Sequence, residues 1–168
     1  KEKITAQEKE AILSRISFTT DIAKAVKDAD LIIEAIPEIL ELKKEMFKKL
    51  DSLSKPEAIL GTNTSQNSIT EIASVVANPS RVVGTHFFNP PVMMRLVEVV
   101  KGLETADSVV EQIRAFATKL GKEIVVCKDS QGFISTRVLV ALRLECYRIL
   151  EEGIASKEDI DKTLKLAL

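Results

Sequence analysis

The sequence predicts an α/β fold: a mostly parallel sheet followed by the start of an all-helical C-terminal region. Apolar runs of strand length alternate with amphipathic helical segments as far as about residue 128, a pattern typical of parallel sheets with helices on their faces. Beyond that point only helical periodicity remains. We therefore divide the chain into a sheet domain, residues 1–128, and a helical region, residues 129–168.

Six segments have the length and composition of β-strands. They are rich in aliphatic residues and are bounded by turn-forming residues. The predominantly apolar run over residues 30–36 is what we expect of a strand that is buried on both faces. The expected strands are residues 16–19, 30–36, 58–60, 81–88, 96–100 and 123–127.

N-terminal capping motifs mark three of the helices. In each motif a Ser or Thr side chain can accept a hydrogen bond from an N–H of the first helical turn, and an acidic residue follows three positions later. The motifs begin at Thr5, Ser68 and Ser156. Further helices are expected over residues 21–27, 106–120 and 133–152.

Another helix is expected to begin at Pro37, because the missing proline N–H costs least in the first helical turn. Its apolar residues recur at helical spacing, so we expect them to form one buried stripe, with lysines and glutamates on the opposite side. The members of this expected stripe are Ile39, Leu42, Met46, Leu50 and Leu53.

The composition is that of an ordinary globular protein and excludes several classes of function. The 168 residues carry 24 Lys and Arg against 25 Asp and Glu, so no long-range attraction draws the chain to nucleic acid or to an anionic membrane. No apolar run approaches the roughly 20 residues that span a bilayer. The charged residues 1–3 argue against a secretory signal, and we expect a cytoplasmic protein.

Two cysteines are too few for a disulfide framework or a metal-ligand cluster. Cys127 and Cys146 both have apolar neighbours in the sequence. We expect both to be reduced and buried in the core, and we expect no metal site.

Polar residues at the carboxyl ends of the expected strands are the first candidates for a site, because ligands bind there in open α/β sheets. Glu98 lies within an apolar strand, and a buried carboxylate needs a partner. His86, the only histidine, lies on the neighbouring strand. Glu98 would hold His86 in one tautomer, as a general base requires. Alternatively, Glu98 pairs with Arg95 or Arg81, and His86 only packs near Phe88.

The polar segment over residues 62–65 follows another strand and permits several interpretations. Ser65 together with His86 and Glu98 could form a Ser-His-acid triad. The chain offers neither a G-x-S-x-G elbow nor a glycine-rich oxyanion loop, which disfavours a hydrolase. The segment could equally be a simple polar turn, and Glu38 and Lys43 could be solvated helix charges.

Several motifs resemble the L-3-hydroxyacyl-CoA dehydrogenase family. The most specific is Gly84-Thr85-His86-Phe87-Phe88-Asn89-Pro90-Pro91, followed downstream by the Leu-Val-Glu-Val-Val run that begins at Leu96. Four further stretches fit in order: residues 30–38, 62–65, 128–137 and 156–166. The resemblance implies NAD-dependent oxidation of the 3-hydroxyl of an L-3-hydroxyacyl-CoA to the 3-ketoacyl-CoA, in fatty-acid oxidation or butanoate metabolism.

The resemblance also implies roles for individual residues. His86 would take the hydroxyl proton, Glu98 would orient His86, and Ser65 would bind the substrate oxygen beside the nicotinamide. Thr136 would lie at the substrate, and the helical region would form a homodimer. The implied NAD contacts are Ser65, Glu38, Lys43 and Asn89, with Ile36 and Pro37 lining the cofactor.

Two departures from the family pattern stand out. The family usually has Gly-Phe-Ile-x-Asn-Arg, and here Thr136 takes the place of the asparagine; a threonine hydroxyl is shorter and has no amide donors. In addition, none of the six glycines forms the G-x-G-x-x-G turn that binds the pyrophosphate. The resemblance therefore implies a partial Rossmann-type domain without its N-terminal βαβ unit, and the beginning of the family's helical C-terminal domain.

Two other functions fit the same residues. A truncated relative could serve as a non-catalytic association module that dimerises through residues 133–168. A related sugar-acid dehydrogenase would share the histidine, but such relatives lack the Phe-Phe pair between the histidine and the asparagine, which is present here as Phe87 and Phe88.

Overall fold

The computed structural model describes residues 4–167. Five strands form one sheet in the order of the sequence: β1 (Leu31–Glu34), β2 (Ile59–Thr62), β3 (Val82–Phe87), β4 (Leu96–Lys101) and β5 (Glu123–Lys128). The pairs β1–β2, β2–β3 and β4–β5 are parallel, and only β3–β4 is antiparallel. The prediction of an α/β fold with a mostly parallel sheet is confirmed.

Seven α-helices connect and extend this sheet within the described residues. They are α1 (Ala6–Leu13), α2 (Ile22–Val26), α3 (Leu40–Leu53), α4 (Ile69–Ala73), α5 (Asp107–Lys119), α6 (Ser135–Glu151) and α7 (Lys157–Ala167). A short 3₁₀ turn, Pro79–Arg81, precedes β3. The caps at Thr5, Ser68 and Ser156 are all formed. Among residues 4–167 no helix is both long enough and apolar enough to cross a membrane.

The core has two parts, one on each face of the sheet. Alternate residues of a strand point to opposite faces, so Leu60 and Val82 pack with α3 and α4. Their neighbours Ile59 and Val83 pack with α5. The central strands are thus covered on both sides, which explains their nearly continuous apolar sequences.

The expected strand over residues 16–19 is wrong. This segment forms no strand, and Phe18 is 89% exposed. A strand needs a neighbour that supplies backbone hydrogen bonds, and none of the described residues lies beside this segment as a strand. β1 forms the edge of the sheet instead. The prediction drawn from residues 1–3 lies outside the described part of the chain.

The expected start of the third helix is also wrong, and its expected buried stripe is only partly right, because Leu50 is buried and Met46 is half-buried but the other members are exposed. α3 begins at Leu40 rather than at Pro37, and Ile39, 54% exposed, is its N-cap. The face that packs on the sheet carries Lys43, Phe47 and Leu50. The face is displaced because Lys43 has an ion-pair partner inside the protein, so a charged residue can occupy a buried position.

The helical region buries little of its surface within residues 4–167. Neither α6 nor α7 contains a fully buried residue, and Val138 is 64% exposed. Cys127 and Cys146 are free thiols, as predicted, but both are half-buried rather than fully enclosed. The division between residues 128 and 129 stays a prediction.

Candidate active site

The candidate site lies where the carboxyl ends of β1, β2 and β3 meet the beginning of β4. Because β3 and β4 are antiparallel, the register places His86 directly opposite Glu98. Side chains that are opposite each other in a sheet project to the same face. The strand pairing therefore brings together the only histidine of the chain and a carboxylate twelve residues farther along.

His86 and Glu98 form a buried pair. His86 Nδ1 lies 2.7 Å from Glu98 Oε2, and their side chains are 10% and 1% exposed. With Glu98 ionised, Nδ1 carries the ring proton and Nε2 is an acceptor. Among residues 4–167 no group hydrogen-bonds to Nε2, and Nε2 remains accessible to solvent. The pair can therefore accept a proton from a ligand in front of the ring.

The alternative partners proposed for Glu98 are engaged elsewhere. Arg95 pairs with Glu123 at 2.7 Å, and Arg81 pairs with Asp51 at 2.8 Å. His86 does pack near Phe88, as the alternative expected, with 4.5 Å between the ring centroids. That packing accompanies the ion pair and does not replace it.

Ser135 is a partner of Glu98 that the sequence reasoning missed. Its backbone N–H donates to Glu98 Oε1 at 2.8 Å, and its hydroxyl donates to Oε2 at 2.9 Å. Ser135 is the first residue of α6, whose N-cap, Ile134, makes no side-chain capping bond. Glu98 therefore caps α6 from a different element and places its negative charge at the positive end of the helix dipole.

A tight turn aims the start of α6 at Glu98. Gly132 has φ of 79°, and Phe133 has φ of 49°, a region that glycine enters freely and other residues rarely adopt. The Phe133 side chain is buried, with its ring centroid 5.9 Å from that of His86. Burial of the ring against the site offsets the strain of this backbone conformation.

Ser65 and Thr136 lie side by side at the edge of the site. The Thr136 hydroxyl donates to the backbone oxygen of Ser65 over a long 3.4 Å. Both residues are half-buried. Within the described chain no hydrogen bond joins the Ser65 hydroxyl to His86, so the hydrolase triad is not assembled.

A cleft of about 370 Å³ opens beside Thr136. Its wall begins next to Ser65 and continues along α6, where the lining changes from polar to apolar. An elongated ligand would fit this cleft if its polar end lay at Thr136 and its apolar end lay along α6. The lining residues are Gln66, Gln131, Gly132, Thr136, Arg137, Val140, Ala141 and Leu144.

A buried ion-pair network lies under the ends of β1 and β2. The Lys43 ammonium lies 2.8 Å from Glu34 Oε1 and 3.4 Å from Glu38 Oε2, and it donates to the Ile36 oxygen at 3.2 Å. Glu34 also accepts from the Thr62 hydroxyl at 2.7 Å. Lys43 is thus no solvated helix charge. Thr62 belongs to the candidate segment 62–65, but sequence reasoning missed Glu34, although an acidic residue ending an apolar strand was a signal for a buried pair.

Glu38 links this network to the loop that carries Ser65. Its Oε1 accepts from the Thr64 hydroxyl and from the backbone N–H groups of Ser65, at 3.0 Å, and Gln66, at 3.2 Å. Partial burial raises the pKa of Glu38, but these hydrogen bonds and the charge of Lys43 outweigh it and hold that pKa below its usual value. Glu38 therefore stays ionised and positions Ser65.

The remaining predicted cofactor residues lie around the same edge. Ile36 is half-buried, whereas Pro37 and Asn89 are exposed. Asn63 binds the Ser65 loop to β3, because its side-chain oxygen accepts from the Phe87 N–H at 2.8 Å. This mixture of apolar, amide and hydroxyl groups suits a nicotinamide and its ribose. The cofactor contacts implied for Ser65, Glu38, Lys43, Asn89, Ile36 and Pro37 stay predictions.

Two family models together match almost the whole chain. The model described as "3-hydroxyacyl-CoA dehydrogenase, NAD binding domain" matches residues 1–130, and the model of the C-terminal domain of the same family matches residues 132–168. NAD is the cofactor of the first of these domains.

Individual relatives agree with the family models. The chain is 43% identical to a probable 3-hydroxybutyryl-CoA dehydrogenase of Bacillus subtilis, over 100% of this chain and 58% of that protein. It is 46% identical to the mitochondrial hydroxyacyl-coenzyme A dehydrogenase of Sus scrofa, over 94% and 50%. The chain thus spans about half the length of the curated relatives it matches.

A solved structure gives the same result for the fold. The (S)-3-hydroxybutyryl-CoA dehydrogenase of Ralstonia eutropha superposes with a TM-score of 0.93 at 38% identity. The match covers 98% of this chain and 58% of that one. The partial sheet and the helices that follow it therefore have the arrangement found in this relative.

Proposed function

This chain belongs to the 3-hydroxyacyl-CoA dehydrogenase family, and from that premise we propose that its protein oxidises the 3-hydroxyl of an L-3-hydroxyacyl-CoA to a ketone with NAD. The observation that carries the proposal is the buried contact of 2.7 Å between His86 Nδ1 and Glu98 Oε2. It leaves Nε2 as the basic atom that a hydroxyl oxidation needs.

The proposed step transfers one proton and one hydride. His86 Nε2 takes the proton of the 3-hydroxyl as the C3–O bond becomes a carbonyl, and NAD, when bound, supplies the acceptor for the hydride that leaves C3. Glu98 stabilises the imidazolium that forms, because its negative charge lies next to Nδ1 throughout. Ionised Glu98 also fixes the tautomer before the substrate arrives.

Ser65 and Thr136 are proposed to hold the substrate oxygen in front of His86. Two hydrogen bonds fix the Ser65 loop. The Ser65 backbone N–H donates to Glu38, and the Asn63 side chain accepts from the Phe87 N–H of β3. A fixed loop holds the reacting oxygen in one position relative to Nε2, which is the larger part of what a positioning residue contributes. The cleft along α6 is proposed to receive the acyl portion.

The residues proposed to hold NAD are those that suit its nicotinamide half. Ile36 and Pro37 would line the ring, and Asn89 and Glu38 would lie at the ribose. The printed sequence contains no glycine-rich turn for the pyrophosphate. Lys43 is fully buried, so we propose that it acts on the cofactor by holding Glu38 in place.

The decisive test is an assay, carried out on the whole protein, of NADH formation at 340 nm with L-3-hydroxybutyryl-CoA as substrate. We expect His86→Gln to lower kcat by roughly 10²- to 10⁴-fold, the usual contribution of a general base. Glu98→Gln should lower kcat as well and leave KM nearly unchanged. Glu123→Gln, an exposed carboxylate on the next strand, is the matched control. Full activity of His86→Gln would refute the proposed role of the histidine.

The alternatives have less support. An association module does not need a buried His-Glu pair beside an open cleft. A sugar-acid dehydrogenase is not favoured, because the family models and the relatives carry hydroxyacyl names. We do propose a homodimer formed through residues 133–168, since that region exposes much apolar surface. Light scattering after gel filtration should give twice the monomer mass, and a monomer at all concentrations would refute it.

We further propose a cytoplasmic location, with acyl-CoA as the partner and neither nucleic acid nor membrane bound. The near balance of acidic and basic residues supports the absence of binding to nucleic acid and to anionic membranes. Cell fractionation followed by detection of the protein in the pelleted membranes would contradict this.

A further inference from the structure

Glu98 accepts hydrogen bonds from three donors, two more than a simple histidine-carboxylate pair requires. His86 Nδ1 and the Ser135 hydroxyl both point at the same oxygen, Oε2, at 2.7 and 2.9 Å. The other oxygen, Oε1, accepts from the Ser135 backbone N–H. The carboxylate is 1% exposed, so water does not compete with these donors for its oxygens, and each hydrogen bond is stronger than it would be in solvent.

We propose that the Ser135 hydroxyl is a positioning residue that tunes the hydrogen bond between His86 and Glu98. A donor withdraws negative charge from the oxygen that it binds, so two donors on one oxygen each form a weaker bond than either would alone. The backbone N–H of Ser135 is present whatever the side chain, and it secures the helix to Glu98. The hydroxyl is the additional element, and only a side chain with a donor supplies it.

The two hydrogen bonds from Ser135 to Glu98 link the helical region to the site. α6 begins at Ser135 and is capped by Glu98, so a displacement of α6 changes the charge available to His86. Removal of the hydroxyl should strengthen the His86–Glu98 hydrogen bond and so change the basicity of the ring. The kinetic consequence rests on the proposed dehydrogenase function, whereas the hydrogen bond itself does not.

The experiment uses the fact that the chain contains one histidine. With ¹⁵N-labelled histidine, the NMR spectrum of the full chain reports only the ring of His86, and no substrate is needed. We expect the Nδ1 proton of Ser135→Ala to resonate farther downfield than that of the parent protein. Ser135→Cys, whose thiol is a weak donor, should lie between the two.

Ser156→Ala is the matched control. Ser156 caps α7 by accepting from the Asp159 N–H at 3.1 Å, so its loss weakens a helix start without contact with Glu98. It should lower the Tm and leave the His86 resonance in place. If Ser135→Ala also lowers the Tm but leaves the resonance unmoved, or moves it upfield, Ser135 is only a helix-start residue and the proposal is overturned.

The same spectra separate failure of this inference from failure of the proposed function. A downfield shift in a protein without dehydrogenase activity would support the role of Ser135 and contradict the enzyme. Dehydrogenase activity combined with an unmoved resonance would support the enzyme function and contradict the role of Ser135.

Discussion

The ammonium of Lys43 lies 2.8 Å from Oε1 of Glu34, and neither side chain is more than 1% exposed. The two residues come from α3 and the end of β1, so the ion pair fastens a helix to the edge strand. Glu38 connects this pair to the loop that carries Ser65, because it contacts the Lys43 ammonium and also accepts a hydrogen bond from the Ser65 backbone N–H. This network is therefore both a stability element and a support for the site.

Removal of one partner of this pair should be costly. We expect Lys43→Met to lower the free energy of unfolding by about 3–5 kcal/mol, because it leaves the Glu34 charge buried without compensation. Urea unfolding followed by circular dichroism measures the change. The double variant Glu34→Gln, Lys43→Met should recover most of it.

Lys44→Met is the matched control, since Lys44 pairs with the exposed Glu41 at 3.3 Å. Exposed pairs contribute about 0–1 kcal/mol. Equal losses for the two lysine variants would contradict the importance of the buried pair.

Acidification should destabilise the protein partly through Glu38. Its pKa in the folded state is below the ordinary value of 4.5, so its contribution is present above pH 4.5 and is lost as pH falls through the lower, folded-state pKa. Glu38→Gln should therefore show a smaller loss of stability between pH 6 and pH 3 than the parent protein. Thermal unfolding over that pH range tests this, with Glu41→Gln as the control. Identical profiles for Glu38→Gln and the parent protein would count against the prediction.

The 168-residue chain should bind NADH poorly. In the Rossmann arrangement a glycine-rich turn and the helix after it hold the pyrophosphate, and this sequence contains no such turn. Isothermal titration calorimetry should give no saturation in the micromolar range. The relative from Ralstonia eutropha serves as the positive control. A micromolar Kd for this chain would show that its residues hold the cofactor by another route.

Thr136→Asn should raise kcat/KM about two- to tenfold, the equivalent of one ordinary hydrogen bond. The Thr136 hydroxyl makes only a 3.4 Å contact with Ser65, and an asparagine amide would reach farther and supply donors. Thr136→Val should lower kcat/KM instead. The assay with L-3-hydroxybutyryl-CoA measures both variants, and indistinguishable values would mean that position 136 does not touch the substrate oxygen.

The sequence allowed the His86–Glu98 contact to be predicted for a physical reason. Glu98 interrupts an apolar strand, and a carboxylate there must find a partner; the one histidine stood on the adjacent strand. The antiparallel pairing that creates the contact was also accessible, because residues 88–95 are too few for a parallel crossover. Capping motifs likewise fixed three helix starts, since they depend only on residues three apart.

Contacts between segments that are distant in the sequence could not be predicted in the same way. Hydropathy assigns a lysine to the solvent face of a helix, so Lys43 could not be placed until Glu34 was known to lie beneath it. Ser135 gave no signal, because its role depends on a turn with positive φ at Gly132 and Phe133 that aims the helix at Glu98. The strand over residues 16–19 was wrong because a strand exists only beside another strand.

The sequence by itself determined the alternation of elements and the mostly parallel sheet, and it made His86 one of the candidate partners of Glu98, since each follows from local spacing and from the cost of a buried charge. Only the tertiary structure decided that Lys43 is buried and that Ser135 shares the Glu98 carboxylate with His86. Those facts depend on where separate elements meet, and the free energy of such a contact belongs to the assembled fold.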